Sequence, residues 1–320
     1  MPGGDDGAGE YPVSKAVEAV LDEAALPLPP RNTIAILRRT VHTTARVTAA
    51  ISAVFAALLL LLFCYQRHLV YYPQRYVTDP ARVLPADRGN MLTFTTSQGS
   101  QTAFYIAPRT DAKGMPGKIW VMFHGNAALA LSWLDTVEKC PDASAGFLLV
   151  DYPGYGLCEG FPTEKLILEN SEKAMDALAA HLATGREELH ARMSVMGYSI
   201  GTGAALQFAA RHPVERVVLI APFTRLRDSV RHILFWPVDQ VLFERWDNID
   251  RIAELAARPK PPHVAVICGD IDRIAPPKMG RQLAEQFPKM VSYVEIPNAS
   301  HGLLISTAQS RILKEMAPGI

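Results

Sequence analysis

Met193-Ser194-Val195-Met196-Gly197-Tyr198-Ser199-Ile200-Gly201-Thr202-Gly203-Ala204-Ala205-Leu206 is the stretch from which the rest of the chain can be read. The apolar run up to Met196 suits a buried strand. Thr202 to Ala210 is a small-residue pattern that suits a helix packed closely on its neighbours. Between them Ser199 is flanked by Gly197 and Gly201. A serine at such a sharp strand-to-helix turn is held in strained backbone with its hydroxyl outward, and the glycines let strand and helix cross closely. The helix then points its positive end and free N–H groups at any charge formed beside the hydroxyl.

A serine hydroxyl is a poor nucleophile near neutral pH, so it needs a base to take its proton and a third group to orient that base. Downstream, the apolar run His263-Val264-Ala265-Val266-Ile267-Cys268-Gly269 leads into Asp270-Ile271-Asp272, with Pro276 starting a helix soon after. Asp272 is the candidate orienting acid and Asp270 the fallback. Taken alone, Asp272 is also what a helix cap looks like. The next strand-like run, Val291 to Ile296, ends at Pro297-Asn298-Ala299-Ser300-His301-Gly302, which makes His301 the candidate base. All three candidates fall at strand C-terminal ends, which in a parallel sheet form one edge of the molecule. A protonated imidazole cannot accept the serine proton, so activity should fall on acidification.

A fourth piece is the buried run Ile119-Trp120-Val121-Met122-Phe123 followed by the turn His124-Gly125-Asn126-Ala127. Two backbone N–H donors facing the developing oxyanion are expected, those of Ile200 and Asn126, each worth on the order of 3 kcal/mol of transition-state stabilisation. His124, Gly125, Tyr198, Trp133 and Phe223 are candidate substrate contacts. Each residue has a plainer reading alone: His124 and His301 as loop histidines, Ser199 as a turn serine. Together and in this order they argue for nucleophilic catalysis.

These residues resemble the α/β-hydrolase superfamily and, within it, the membrane-anchored Bem46 and ABHD13/ABHD17-like branch, over about Leu69 to Pro318. The resemblance rests on Phe123-His124-Gly125-Asn126-Ala127, Asp151-Tyr152-Pro153-Gly154-Tyr155-Gly156, Gly197-Tyr198-Ser199-Ile200-Gly201-Thr202-Gly203, Ala221-Pro222-Phe223-Thr224 and Gly269-Asp270-Ile271-Asp272. It implies that Ser199, Asp272 and His301 are nucleophile, acid and base, and that the activity is similar to that of esterases, thioesterases or serine peptidases of the S33 type. Two positions depart from the branch: Ala127-Ala128-Leu129 stands where Gly-Asn often follows, and Cys158 stands where serine is common. Cys158 reads either as an accessible thiol or as a small inert residue.

The 320 residues suffice for one domain of about 250 residues with an N-terminal extension. Lys and Arg total 32, as do Asp and Glu, so nothing marks a nucleic-acid partner or a strongly anionic substrate. Cys64, Cys140, Cys158 and Cys268 are too few and too irregular for a disulfide framework. No Cys/His spacing suggests a metal, no glycine-rich phosphate loop occurs, and the chemistry needs no cofactor.

Residues 1–46 are read as a flexible tail, with an amphipathic helix conceivable at Ser14 to Ala25. Val47 to Gln66 then runs 20 residues without a charge. At 1.5 Å per residue, that matches a bilayer core of about 30 Å and reads as a transmembrane helix over 47–66. The rival readings are a buried core helix and a cleaved signal peptide, the latter opposed by the long preceding segment and the missing cleavage site. Arg31, Arg38, Arg39 and Arg46 upstream against Arg67, Arg75 and Arg82 downstream point to a catalytic domain on the non-cytoplasmic side.

The catalytic domain, 67–320, is expected to open with a hairpin of Met91–Thr96 and Thr102–Ala107. Strands at Ile119–Phe123, Phe147–Asp151, Ser194–Met196, Val217–Ile220, His263–Ile267 and Val291–Ile296 follow, alternating with helices, the last spanning Leu303–Met316. Continuous apolar strands between helices predict an α/β architecture: a mostly parallel central sheet covered by helices on both faces, as in the α/β-hydrolase fold. A small helical cap is expected at about 223–261, where Phe235, Trp236, Phe243 and Trp246 either pack into the core or wall an acyl pocket. The reading is a membrane-anchored serine hydrolase acting on a small-molecule or lipid-like acyl substrate. Its alternatives are a serine aminopeptidase and a non-catalytic hydrolase-fold membrane protein; the sequence leaves the oligomeric state open.

Overall fold

The computed structural model describes residues 31–111, 114–233 and 243–317. Eight strands form a single sheet in the order β1-β2-β4-β3-β5-β6-β7-β8. They are β1 Gly89–Thr96, β2 Gly99–Ile106, β3 Lys118–Phe123, β4 Ala145–Val150, β5 Met193–Tyr198, β6 Arg216–Ile220, β7 His263–Gly269 and β8 Val291–Ile296. The β1–β2 hairpin is antiparallel, β2 runs antiparallel to β4, and every pairing from β4 through β8 is parallel.

The helices in chain order are α1 Arg31–Val70, α2 Leu134–Glu138, α3 Glu164–His181, α4 Arg186–His190, α5 Ile200–Ala209, α6 Leu226–Ile233, α7 Asn248–Ala256, α8 Pro277–Gln286, α9 Leu304–Thr307 and α10 Gln309–Met316. Both faces of the sheet are buried along its central strands. Along β3, Ile119, Val121 and Phe123 join the apolar layer that holds residues of α3, α5 and α7. Trp120 and Met122, pointing the other way, join the layer that holds Val137 and Ile312. Alternate side chains of one strand thus bury on opposite faces, which is why the strands read as unbroken apolar runs.

The parallel order carries the C-terminal ends of β3, β5, β7 and β8 to one edge, and the segments following them carry the site. Phe123 pairs with Gly197, so the turn after β3 and the turn after β5 are neighbours. Gly269 pairs with Ile296, which brings the segments after β7 and β8 together in the same way.

Three expectations change. Residues 31–46, expected in the tail, are helical and continuous with the rest of α1. A count of uncharged residues locates the lipid-compatible part of a helix. It does not locate helix ends, which the arginines and threonines upstream do not interrupt. The C-terminal helix is broken at Ala308, whose backbone (φ −92°, ψ 7°) leaves the helical region. The cap aromatics Phe235 and Trp236, like the tail 1–30, lie outside the described residues.

The described part of α1 contains a stretch, Asn32–His68, long and apolar enough to cross a membrane, with none of its most apolar window buried. Ile36, Leu37, Ile51, Val54, Leu58, Leu60 and Leu61 are all exposed. It is therefore not a core helix. The chain divides into compact units between Leu58 and Leu59, within this helix, so Leu59–Val70 belongs with the sheet.

Candidate active site

Ser199 occupies the turn between β5 and α5 with φ 54° and ψ −121°, a conformation that costs a non-glycine residue strain and is held by its surroundings. Its N–H donates to the Ile220 carbonyl at 2.9 Å. Its own carbonyl accepts from the Thr202 N–H at 2.9 Å and the Thr202 hydroxyl at 2.6 Å. Gly201 is required by close approach. A Cβ there would lie 2.5 Å from the carbonyl oxygens of both Phe123 and His124. The first turn of α5 is thus pressed against the end of β3.

His301 follows β8. Its Nε2 lies 3.0 Å from the Ser199 hydroxyl and its Nδ1 2.7 Å from Asp272 Oδ2. The Asp272 carboxylate is buried, and its second oxygen accepts the N–H groups of Ile274 and Ala275, each at 2.9 Å. Every face of that carboxylate therefore has a donor, and the ring it orients faces the serine. Gly269 permits this approach, since a Cβ there would meet the Ala299 carbonyl oxygen at 2.0 Å. Asp270, the fallback acid, instead accepts from the Ala299 N–H at 3.2 Å and braces the histidine loop.

Ile200 opens α5, where an N–H has no partner within the helix. Among the described residues, neither its N–H nor that of Asn126 donates to a protein acceptor. Two donors therefore remain at the adjoining ends of β3 and β5, as an oxyanion requires.

No protein-family model matches the chain. An uncharacterized protein of Mycobacterium tuberculosis, Rv2307c, is 27% identical over 281 residues, covering 85% of this chain and 95% of that protein. The Homo sapiens alpha/beta hydrolase domain-containing protein 17B is 29% identical over 152 residues, 47% of this chain and 48% of its own length. Among solved structures, a Pyrococcus furiosus esterase superposes with a TM-score of 0.58 at 15% identity, covering 77% of this chain and 97% of the esterase. The chain has the α/β-hydrolase fold.

Within this fold the expected substrate contacts divide. Tyr198 is half-buried. Its ring lies 5.2 Å from that of His301 and its hydroxyl donates to the His301 carbonyl at 2.5 Å, so it holds the histidine loop. Gly125 is buried, with Tyr198 where its Cβ would be. His124 and Trp133, expected beside substrate, are only 1% exposed. Their apolar surroundings on the sheet took them inward. Phe223 is 4% exposed and packs into the core layer with α5 and α7. Trp246 likewise packs inward, against Gly203.

His124 stacks on Tyr152 with centroids 4.0 Å apart and donates from Nδ1 to the Gly125 carbonyl at 2.8 Å. Burial pushes its pKa down to about 4, so the ring is neutral at physiological pH. Asp151, 3.5 Å from it, is pushed up to about 6 by burial, opposed by hydrogen bonds from the Ala130 N–H and the Tyr76 hydroxyl. The Asp151–Gly156 segment, known from the sequence only as a resemblance block, buttresses the turn after β3. Tyr152 donates to the His124 carbonyl at 2.6 Å, and Tyr155 donates to Asn126 Oδ1 at 2.8 Å. Its Tyr-x-x-Tyr spacing was the available signal.

Cys158 is fully buried, its thiol between the N–H and carbonyl of Thr102 and pushed up to about 12 by burial, which makes it inert. Ile271, Ile274 and Leu303, next to Asp272 and His301 in sequence, are large apolar residues left exposed, and the sequence reading did not single them out. Among the described residues no group of His, Cys, Asp and Glu is arranged to hold a metal.

Proposed function

We propose that this protein is a membrane-anchored serine hydrolase that cleaves carboxylic ester or thioester bonds through an acyl-enzyme on Ser199. Ser199 Oγ attacks the carbonyl carbon as its proton passes to His301 Nε2. The imidazolium that forms is held by its Nδ1–H donating to Asp272. The carbonyl oxygen, now an oxyanion, accepts from the N–H groups of Ile200 and Asn126. Collapse expels the alcohol or thiol, which takes the proton from His301 Nε2. Water, activated by the same imidazole, then releases the acid and restores Ser199.

One observation carries the reading: hydroxyl, imidazole and buried carboxylate form a relay with spacings of 3.0 and 2.7 Å. Exposed Ile271, Ile274 and Leu303 flanking that relay favour an apolar acyl group, and so does an apolar helix leading into the domain. Anchoring is assigned to α1, with the catalytic domain on the non-cytoplasmic side from the arginine distribution.

The test is labelling with a fluorophosphonate, followed by turnover of p-nitrophenyl esters, acyl-thioesters and amino-acid amides. Labelling of wild type but not of Ser199→Ala is expected, with esters and thioesters turned over faster than amides. A folded wild type that does not label would leave the non-catalytic alternative standing. Amides turned over fastest would make it a peptidase.

A further inference from the structure

The side chain of Asn126 is engaged by three segments of its own chain. Its Nδ2 donates to the Val70 carbonyl at 2.6 Å. Its Oδ1 accepts from the Tyr72 N–H at 2.8 Å, the Tyr155 hydroxyl at 2.8 Å and the Ala127 N–H at 3.1 Å. Val70 is the last residue of α1, and its carbonyl is one of those that a helix end leaves without an intrahelical partner. One amide therefore caps the apolar helix, holds the chain as it leaves that helix, and holds the next residue of its own turn.

That next residue matters. Ala127 has φ 55°, a region that a residue with a Cβ abandons unless something keeps it there. The bond from its N–H to Asn126 Oδ1 is such a hold. Tyr155, the third donor, also takes the Tyr72 N–H at 3.1 Å, and its ring packs 5.1 Å from His124. Three segments meet at this amide: the exit of α1, the turn after β3 and the Asp151–Gly156 loop. The backbone N–H of the same residue is one of the two assigned oxyanion donors, so any rotation of Asn126 re-aims that donor directly.

We infer that the Asn126 side chain is the positioning residue of the oxyanion turn, and that the exit of helix α1, Val70 to Tyr72, is a working part of that turn. The inference rests on the serine-hydrolase reading of Ser199. Removing the amide leaves the Val70 carbonyl, the Tyr155 hydroxyl and the Ala127 N–H without their partner, and the Tyr72 N–H with the Tyr155 hydroxyl alone. The least costly relaxation is release of Ala127 from its left-handed conformation, which turns the donor away from the oxyanion. Such a donor acts in the transition state and not on the bound substrate, so its loss lowers kcat and leaves KM nearly unchanged.

The test uses the full chain in detergent, with p-nitrophenyl butyrate as substrate, comparing wild type, Ser199→Ala, Asn126→Ala and Asn126→Asp. Asn126→Ala is expected to lose about tenfold to a hundredfold in kcat, with KM changed by less than about threefold. Asn126→Asp supplies a readout that a purely structural role would not move. Its protonated carboxyl can still donate to the Val70 carbonyl, and its ionised form cannot. The ratio of variant to wild-type kcat should therefore fall as pH rises. With kcat counted per Ser199 titrated to completion by fluorophosphonate, pH-dependent loss of folded protein drops out of the ratio, and a residue needed only for folding leaves it flat. Folded Asn126→Ala with wild-type kcat overturns the inference. If that variant fails to fold, Asn126→Asp decides: a ratio falling with pH supports it, and a flat one overturns it. Absence of Ser199-dependent turnover in wild type would bring down the hydrolase reading and this inference together. The wild-type and Ser199→Ala pair reports that before any Asn126 variant is considered.

Discussion

Gly201→Ala removes nothing and adds one methyl group, yet it should damage both stability and reactivity. The new Cβ would lie 2.5 Å from two carbonyl oxygens, those of Phe123 and His124, where ordinary contact begins near 3.4 Å. Helix α5 and the end of β3 must therefore part by about 0.9 Å, and the atoms in the way are backbone, which cannot rotate aside. Overpacking of this kind costs about 1–3 kcal/mol, and two rigid neighbours place this case at about 3 kcal/mol. For a folded unit of this size that lowers the melting temperature by about 6–12 °C. The displacement also separates the Ile200 and Asn126 N–H groups, and a shift of about 1 Å in a catalytic constellation can cost about a hundredfold in rate. The assay pairs thermal unfolding with the second-order rate constant for fluorophosphonate labelling of Ser199. Gly185→Ala is the control. Its added Cβ meets nothing within 4 Å and its φ of −82° suits any residue, so it should stay within about 0.5 kcal/mol of wild type. If Gly201→Ala melts within about 2 °C of wild type and labels at the wild-type rate, the close approach of α5 and β3 is not what sets the site.

Asp272→Asn should lower kcat by about 10⁴-fold with the fold intact, because an amide presents the wrong hydrogen-bonding group to His301 Nδ1; steady-state hydrolysis and a melting curve check both halves. In native protein, iodoacetamide mapped by mass spectrometry should leave Cys140, Cys158 and Cys268 unmodified until the chain unfolds, since all three are buried with thiols pushed upward. Modification of Cys158 before unfolding would contradict its assignment as inert. His124 takes up a proton near 6.5 when unfolded and only near 4 when folded, so stability is lost as pH falls through that interval, by up to about 3 kcal/mol. Asp151 works in the opposite sense, holding its proton up to about 6 in the folded chain. His124→Gln should therefore gain about 2–3 kcal/mol relative to wild type between about pH 7 and about pH 4.5 in urea unfolding, and parallel pH dependences would refute it.

The elements of the sheet domain are legible one at a time because each is set by local rules. Unbroken apolar runs bounded by turn residues gave β3 to β8 within a residue or two, and the hairpin of Met91–Thr96 with Thr102–Ala107 followed from alternation across a turn. The site was legible for a narrower reason. A parallel sheet brings strand C-termini to one edge whatever the loop lengths, so Ser199, Asp272 and His301 could be brought together on paper from their places after β5, β7 and β8. His124, Trp133 and Phe223 resisted that logic, because a strand or loop position does not say which way a side chain turns when both sheet faces are covered. The helical state of residues 31–46 resisted it as well, since charge patterning marks what lipid tolerates and not how far a helix runs.

What the order of residues settled alone was the strained serine between two glycines and the succession of strand ends, because backbone geometry and hydrophobic period act over a few residues. What needed the third dimension was every contact across large sequence separations: the Asp270 brace on Ala299, the Tyr198 hydroxyl on the His301 carbonyl, and the Asn126 amide reaching back 56 residues to Val70. Hydrogen bonds are made by atoms within about 3 Å of one another, and a linear pattern holds no information about which distant atoms the packed core will bring that close.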